Sequence, residues 1–213
     1  SDTLRAFGDL ASFWRAHHSI PVVAITGSNG KTTTKEMVAA ILSRSWRVLK
    51  NHGTFNNLVG VPLTLLQLDS THEAAVIEMG MNQPGEIERL TEIVQPSVGM
   101  ITNIQPAHLE GMRDLASIQA AKGALFAGMT ATGTIVVNQD DPRVLNEASS
   151  FPGRQVRFSS KGDSAEVSLE RVLGMDGEGS RFLLRLPKET IEIHLPVLGL
   201  HHIKNADYTA TVG

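Results

Sequence analysis

The chain has 213 residues, of which 41% are hydrophobic and 19% are charged, and this composition is typical of a globular protein rather than a disordered chain. Its 19 basic and 22 acidic side chains give a formal net charge of −3. The chain therefore lacks the excess of positive charge that is typical of nucleic-acid-binding proteins. The chain has no cysteine, which excludes a disulfide framework, a thiolate zinc site and a cysteine nucleophile.

The first two thirds of the chain alternate between two hydrophobic patterns. Apolar residues three and four positions apart predict a helix over residues 1–18, and a β-branched run predicts a buried strand at 22–26. The same two patterns predict helices at 31–43, 62–68, 84–94, 114–126 and 142–149, and strands at 46–49, 74–77, 98–102 and 134–137. Strands interleaved with helices in this way indicate an α/β fold with a mostly parallel sheet and helices on both faces.

The pattern changes at about residue 154. From there to about residue 197, segments of alternating apolar and polar residues are separated by turn residues; the segments are 156–158, 166–172, 181–186 and 190–195. This alternation predicts a small antiparallel β meander with one face in solvent. A last helix is predicted over residues 201–212.

A glycine-containing turn joins the first predicted strand to its helix, and it reads Gly27-Ser28-Asn29-Gly30-Lys31-Thr32-Thr33. Small residues let backbone N–H groups approach an anion, and the helix N-terminus adds partial positive charge. Lys31 suits the β- and γ-phosphates of a nucleotide, and the Thr32 hydroxyl suits Mg²⁺. The motif is a shortened phosphate-binding loop, because Ile25 stands where the general pattern has its first glycine. The alternative is an ordinary capped strand–helix turn. The two glycines, the lysine and the threonines between a strand and a helix together favour the phosphate-binding loop over this alternative.

Two further candidates follow predicted strands. Glu78 comes directly after the strand at 74–77, at the strand end where open α/β sheets bind ligands, so its carboxylate is a candidate Mg²⁺ ligand. The alternative for Glu78 is a capping or solvated carboxylate. His108 follows the strand at 98–102, and it is either a ligand at the same edge or a surface histidine.

Lys122 lies on the inward face of the helix predicted at 114–126, seven residues after Leu115 and four after Ile118. A desolvated lysine favours the neutral, nucleophilic amine, which near a divalent metal could capture CO₂ and become a metal-binding carbamate. The alternative is a buried stem with its ammonium group in water, and the residues alone favour that alternative.

In their order along the chain, these motifs resemble those of the Mur ligases, which use ATP to join an amino acid or dipeptide to a nucleotide-linked peptidoglycan precursor. The resemblance rests on the glycine turn, on Glu78-Met79-Gly80, Thr102-Asn103-Ile104, His108-Leu109, Ala121-Lys122-Gly123 and residues 199–206. Residues 56–66 and 78–82 are most similar to the member that adds D-alanyl-D-alanine to UDP-N-acetylmuramoyl-tripeptide. One position departs from the family pattern, since His202 stands where the family usually has asparagine.

The resemblance implies a central ATP-binding domain over residues 19–213, with residues 1–18 as the connecting helix from an amino-terminal domain and with the carboxy-terminal domain absent. It implies ATP and Mg²⁺ as cofactors, with Lys31, Glu78, His108 and Lys122 as the catalytic residues. Thr32 and Glu78 would bind one Mg²⁺, and His108 and an N-carboxylated Lys122 a second. The residues implied at the nucleotide are Gly27, Ser28, Asn29, Gly30, Lys31, Thr32 and Thr33 at the phosphates, Asn57 near the transferred phosphoryl group, His201 and Asn205 near the adenine, and Asn138 and Asp141 on the nucleotide side.

The activity implied is amide-bond formation through an acyl phosphate, in the cytoplasmic synthesis of peptidoglycan precursors. We expect a cytoplasmic monomer that contacts neither nucleic acid nor membrane and that is inactive as a ligase without the other two domains. The alternatives are another Mur ligase, a folylpolyglutamate synthase and a nucleotide-binding module without catalytic activity. A GTPase switch is not favoured, because the chain lacks a guanine-recognising Asn-Lys-x-Asp motif.

Overall fold

The computed structural model describes residues 2–106, 114–161, 165–197 and 205–206. The helices of these residues are α1 Thr3–Ala16, α2 Lys31–Leu42, α3 Gly60–Leu65, α4 Glu86–Val94, α5 Leu115–Ala127 and α6 Pro142–Ala148. The strands are β1 Val22–Thr26, β2 Val48–Lys50, β3 Ala74–Glu78, β4 Val98–Ile101, β5 Thr134–Asn138, β6 Arg154–Ser159, β7 Val167–Asp176, β8 Gly179–Arg185 and β9 Thr190–Leu195. The predicted elements within the described residues are confirmed, with ends that differ by a few residues.

The strands form one sheet in the order β2-β3-β1-β4-β5-β6-β7-β8-β9. All neighbouring pairs from β2 to β7 are parallel, and the β7–β8 and β8–β9 pairs are antiparallel. The α/β fold with a mostly parallel sheet is therefore confirmed, and the antiparallel strands continue the same sheet.

The prediction for β6 was wrong in its direction. The sequence pattern assigned it to the antiparallel meander, whereas β6 is parallel to both β5 and β7. The reason is α6, which connects β5 to β6 and carries the chain back to the same edge of the sheet, so that both strands run in one direction. The antiparallel part of the sheet is limited to β7, β8 and β9.

Alternating side chains of the central strand β1 enter two hydrophobic cores. Val22 and Ala24 pack in the core beneath α1, α3, α4, α5 and α6. Val23 and Ile25 point to the other face, where the core contains residues of α2 and of the antiparallel strands. Both faces are thus covered, which explains why every residue of β1 is buried and apolar until its last position, Thr26.

The strand order reverses at β1, because the chain continues to β2 and β3 on one side of it and to β4 on the other. In open α/β sheets, ligands bind outside the carboxyl ends of the strands at such a point. The loop that follows β1 lies there.

Most of the helix predicted over residues 201–212 lies outside the described residues. Among the described residues, no helix has the length and apolarity needed to cross a bilayer.

Candidate functional site

The loop between β1 and α2 contains two glycines with a positive φ. Gly27 has φ +147°, and a Cβ atom at this position would lie 1.9 Å from Thr102 Oγ1. Gly30 has φ +81° and immediately precedes α2, with Asn205 Oδ1 2.7 Å from the position of a Cβ atom. Glycine is therefore required at both positions, by the backbone conformation and by the close approach of neighbouring atoms.

The segment that follows β4 holds this loop in place. Ser28 N donates to Asn103 O at 2.9 Å, and Asn29 N donates to Asn103 Oδ1 at 3.1 Å. Thr102 Oγ1 donates to Asn29 O at 2.7 Å. The conformation of the loop is thus determined by residues more than 70 positions away, as their sequence separations show.

Lys31 and Lys122 both reach the carbonyl oxygen of Gly27. Lys31 Nζ donates to Gly27 O at 3.0 Å and to Ser28 O at 3.3 Å, and Lys122 Nζ donates to Gly27 O at 2.9 Å. Lys122 is 2% exposed, so its predicted position on the inward face of its helix is confirmed. Two lysine side chains, from α2 and α5, therefore meet at the loop between β1 and α2.

Both lysines have lowered pKa values. Burial, and secondly the positive charge of Lys31, lowers the pKa of Lys122 to about 7. Burial also lowers the pKa of Lys31, and the negative charge of Glu78 opposes that effect. Lys122 is therefore partly in its neutral, nucleophilic form at physiological pH.

Glu78 is the last residue of β3 and is 1% exposed. Its Oε1 accepts a hydrogen bond of 2.8 Å from Asn56 Nδ2, whereas its Oε2 is buried and accepts none from the described residues. A buried carboxylate oxygen without a hydrogen bond suits a hard divalent cation, because the ion would supply the missing partner. Thr32, the residue predicted to share this ion, is half-buried in the first turn of α2.

Sequence reasoning missed three residues around Glu78. Asn51 binds its main chain twice at 2.9 Å, by donating to Glu78 O and accepting from Glu78 N, and Asn56 binds its carboxylate. Lys35 on α2 is fully buried, with Nζ 3.7 Å from Glu78 Oε2. The signal for Lys35 was available, since it precedes Val38 and Leu42 by three and seven residues and therefore shares their inward face.

The remaining predicted residues lie in different places. Asn57 Oδ1 accepts from the backbone N–H groups of Val59 and Gly60 at 3.1 and 2.9 Å and so caps the start of α3. Thr33 is half-buried in the first turn of α2. His108 and His201 lie outside the described residues, and their roles stay predictions.

Asn138 and Asp141 support the segment after β4. Asn138 Nδ2 donates to Thr102 O, and Ile104 N donates to Asp141 Oδ2, both at 2.8 Å. Thr102 in turn binds Asn29 in the loop between β1 and α2. Asn138 and Asp141 therefore stabilise this loop indirectly, through the segment after β4.

The chain is similar to a known protein family and to several of its members. The family model described as the Mur ligase middle domain matches residues 25–213. Similar curated relatives include the UDP-N-acetylmuramoyl-tripeptide–D-alanyl-D-alanine ligases of Haemophilus influenzae, 41% identical over 209 residues, and of Escherichia coli, 39% identical over 206 residues. Each alignment covers 96% of this chain and 45% of the relative.

A crystal structure of MurF from Acinetobacter baumannii has the same fold, with a TM-score of 0.93 and 34% identity. The structural alignment covers 100% of this chain and 46% of the Acinetobacter baumannii chain. The chain thus spans less than half the length of the relatives that it matches. On the family model and on these identities, the chain belongs to the Mur ligase family, of which it contains the middle domain.

Proposed function

We propose that this chain is the ATP-binding unit of a ligase that adds D-alanyl-D-alanine to UDP-N-acetylmuramoyl-tripeptide through an acyl phosphate. The observation that carries the proposal is the meeting of Lys31 and Lys122 at the Gly27 carbonyl, with the charge of Glu78 close enough to act on the pKa of Lys31. The substrates are those named for the relatives of Haemophilus influenzae and Escherichia coli.

The phosphates of ATP would bind at the loop and at the N-terminus of α2. The first N–H groups of a helix have no acceptor within the helix, and the helix adds partial positive charge there. Lys31 would exchange its present carbonyl acceptors for phosphate oxygens and screen their charge while the substrate carboxylate approaches. Asn57 near the transferred phosphoryl group, and His201 and Asn205 near the adenine, complete the nucleotide site that we propose.

The Oε2 of Glu78, which accepts no hydrogen bond from the described residues, supports the first of the two magnesium sites that we propose. Thr32 and the free Oε2 of Glu78 would hold one Mg²⁺, and Lys122, as a carbamate, with His108 would hold the other. Bound Mg²⁺ supplies charge neutralisation between the carboxylate and the γ-phosphate. The lowered pKa of Lys122 supports the carbamate, because only the neutral amine reacts with CO₂.

We propose further that residues 19–213 form the central domain and residues 1–18 the connecting helix, and that the protein is a monomer in cytoplasmic peptidoglycan precursor synthesis. The packing of α1 against α3 and α4 supports a helix that is fixed to the central domain. The tripeptide nucleotide and the dipeptide would be bound with the help of parts of the enzyme outside this chain.

Calorimetric titration of the chain with Mg-ATP tests the nucleotide site. A hydrogen bond to a charged group contributes about 1.5–3 kcal/mol, so Lys31→Ala should weaken binding by roughly 10–100-fold. Lys188→Ala, which removes an exposed lysine between β8 and β9, is the matched control and should bind like the unchanged chain. Absence of Mg-ATP binding by the unchanged chain would overturn the proposal.

A second measurement separates a ligase from a nucleotide-binding module. The full-length enzyme should release phosphate from ATP only when both the tripeptide nucleotide and D-alanyl-D-alanine are present. ATP binding without any phosphate release would support the module instead.

A further inference from the structure

Lys35 on α2 is a buried lysine that has no role in the proposed reaction as described so far. Its side chain is 0% exposed, and its Nζ donates to the carbonyl oxygens of Asn51 and Gly53, both at 2.9 Å. A third acceptor, Glu36 Oε1, lies 3.2 Å away. Two main-chain carbonyl oxygens and one carboxylate oxygen therefore lie around the ammonium group.

Glu78 Oε2 lies 3.7 Å from Lys35 Nζ. This distance is too long for a hydrogen bond but short enough for a strong charge interaction inside the protein. A positive charge at this distance offsets part of the cost of burying the carboxylate, which is almost fully buried. Lys35 thus stabilises the charge of Glu78 while the lone pairs of Oε2 stay free of hydrogen bonds from the described residues.

The same ammonium group also determines where the carboxylate points. By binding the carbonyls of Asn51 and Gly53, Lys35 holds the start of the 51–56 segment against α2. Asn51 then fixes the main chain of Glu78, and Asn56 fixes Oε1. Since α2 begins at the phosphate-binding loop, one helix carries both the phosphate site and the support of the carboxylate.

We infer that Lys35 is a positioning residue that holds Glu78 in place, with a positive charge beside a free Oε2, for the Mg²⁺ that accompanies ATP. The inference rests on the proposed function, because it takes Glu78 as a Mg²⁺ ligand. Lys35 itself touches neither metal nor nucleotide in this arrangement. Its contribution is to the requirement for Mg²⁺ and not to the binding of the nucleotide alone.

The test is calorimetric titration of the chain with ATP over a series of Mg²⁺ concentrations, together with ADP without metal. Groups behind a metal ligand typically change metal affinity by 10–100-fold, so Lys35→Met should raise the Mg²⁺ concentration for half-maximal ATP binding by roughly that factor. Metal-free ADP binding should stay within about twofold, because the phosphate-binding loop itself is unchanged.

Lys50→Met is the matched control. Lys50 forms an ion pair with the same Glu36, but its side chain is 42% exposed, and the variant should show the Mg²⁺ requirement of the unchanged chain. In a Glu78→Gln background, Lys35→Met should add less than about twofold to the Mg²⁺ requirement, because the group on which Lys35 acts is already gone.

An unchanged or lower Mg²⁺ requirement in Lys35→Met overturns the inference, as does an equal loss of metal-free ADP binding, which is the result expected of a purely structural lysine. If Lys35→Met does not give a cooperative thermal transition, Lys35→Gln, which keeps a donor for the carbonyls but not the charge, is judged by the same criteria. Failure of the unchanged chain to bind Mg-ATP would instead contradict the proposed function, so the two failures are distinguishable.

Discussion

Lys122 Nζ donates a hydrogen bond of 2.9 Å to the carbonyl oxygen of Gly27, although the two residues are 95 positions apart in the sequence. The bond joins the middle of α5 to the turn between β1 and α2. It also brings the amine next to Lys31, whose positive charge, after burial, contributes to the low pKa of Lys122.

The first expected outcome concerns the pH dependence of stability. The pKa of Lys122 is about 7 in the folded chain, against 10.5 for a lysine side chain exposed to water, so between these pH values the unfolded chain holds a proton that the folded chain has lost. The free energy of unfolding should therefore rise with pH in this window, by up to about 1.4 kcal/mol per pH unit from this group. Below pH 7 this contribution should no longer change.

Urea denaturation of the unchanged chain and of Lys122→Met, in CO₂-free buffer from pH 6 to 10, measures this effect. The free energy of unfolding should rise less with pH in the variant than in the unchanged chain. Part of the rise should remain in both proteins, because the pKa of Lys31 is also lowered. Parallel pH profiles would show that Lys122 is not desolvated in solution.

The second outcome concerns the proposed carbamate. Lys122→Ala should abolish ligase turnover in the full-length enzyme, because the metal-binding anion is lost together with the amine. Short carboxylates such as formate or acetate should restore part of the turnover by occupying the space of the carbamate. Lys188→Ala is the control, and undiminished turnover in Lys122→Ala would remove the carbamate from the mechanism.

The third outcome concerns the shape of the phosphate-binding loop. Gly27→Ala should lower the free energy of unfolding by roughly 1–3 kcal/mol from backbone strain alone, with a further cost from the contact with Thr102 Oγ1. It should also abolish Mg-ATP binding. Gly177→Ala, where a Cβ atom meets nothing within 4 Å, should change the free energy of unfolding by less than about 0.5 kcal/mol. Equal unfolding transitions for the two variants would contradict the strain at Gly27.

The fourth outcome concerns the attachment of α1. The buried side chain of Arg15 donates to four main-chain carbonyl oxygens, among them those of Val94 at 3.1 Å and His18 at 2.6 Å. Arg15→Met leaves these oxygens without their donor and should cost about 2–4 kcal/mol, measured by urea denaturation. Arg5→Met, on the exposed part of the same helix, should have little effect. A loss no larger than that of the control would mean that water replaces the lost donor.

Local patterns in the sequence predicted the elements of the sheet and the inward face that carries Lys122, because both depend on which residues share a face of one strand or helix. The preference of the residues alone for a Lys122 ammonium group in water was wrong, because the amine is buried at the Gly27 carbonyl. The direction of β6 was not predicted correctly, since alternating apolar and polar residues indicate a strand with one wet face but not its direction. The helix Pro142–Ala148 before it was the better guide, because a helical crossover returns the chain parallel to the preceding strand.

The support of Glu78 could not be predicted in the same way. Asn56 and Asn57 are neighbours in an irregular segment, and only the path of the backbone decides that Asn56 reaches the carboxylate while Asn57 caps α3. Asn51 likewise binds Glu78 across 27 positions without any periodic pattern to indicate it.

The sequence by itself determined the elements, the phosphate-binding loop and the inward face that carries Lys122, because hydrophobic period and glycine chemistry act within a few residues. Only the tertiary structure decided which distant side chains meet. Strand order and loop path bring Gly27 to Thr102 and to Lys122, and Lys35 to Glu78. These contacts depend on how the elements are arranged around the sheet, and that arrangement minimises the free energy of the whole chain rather than of any one segment.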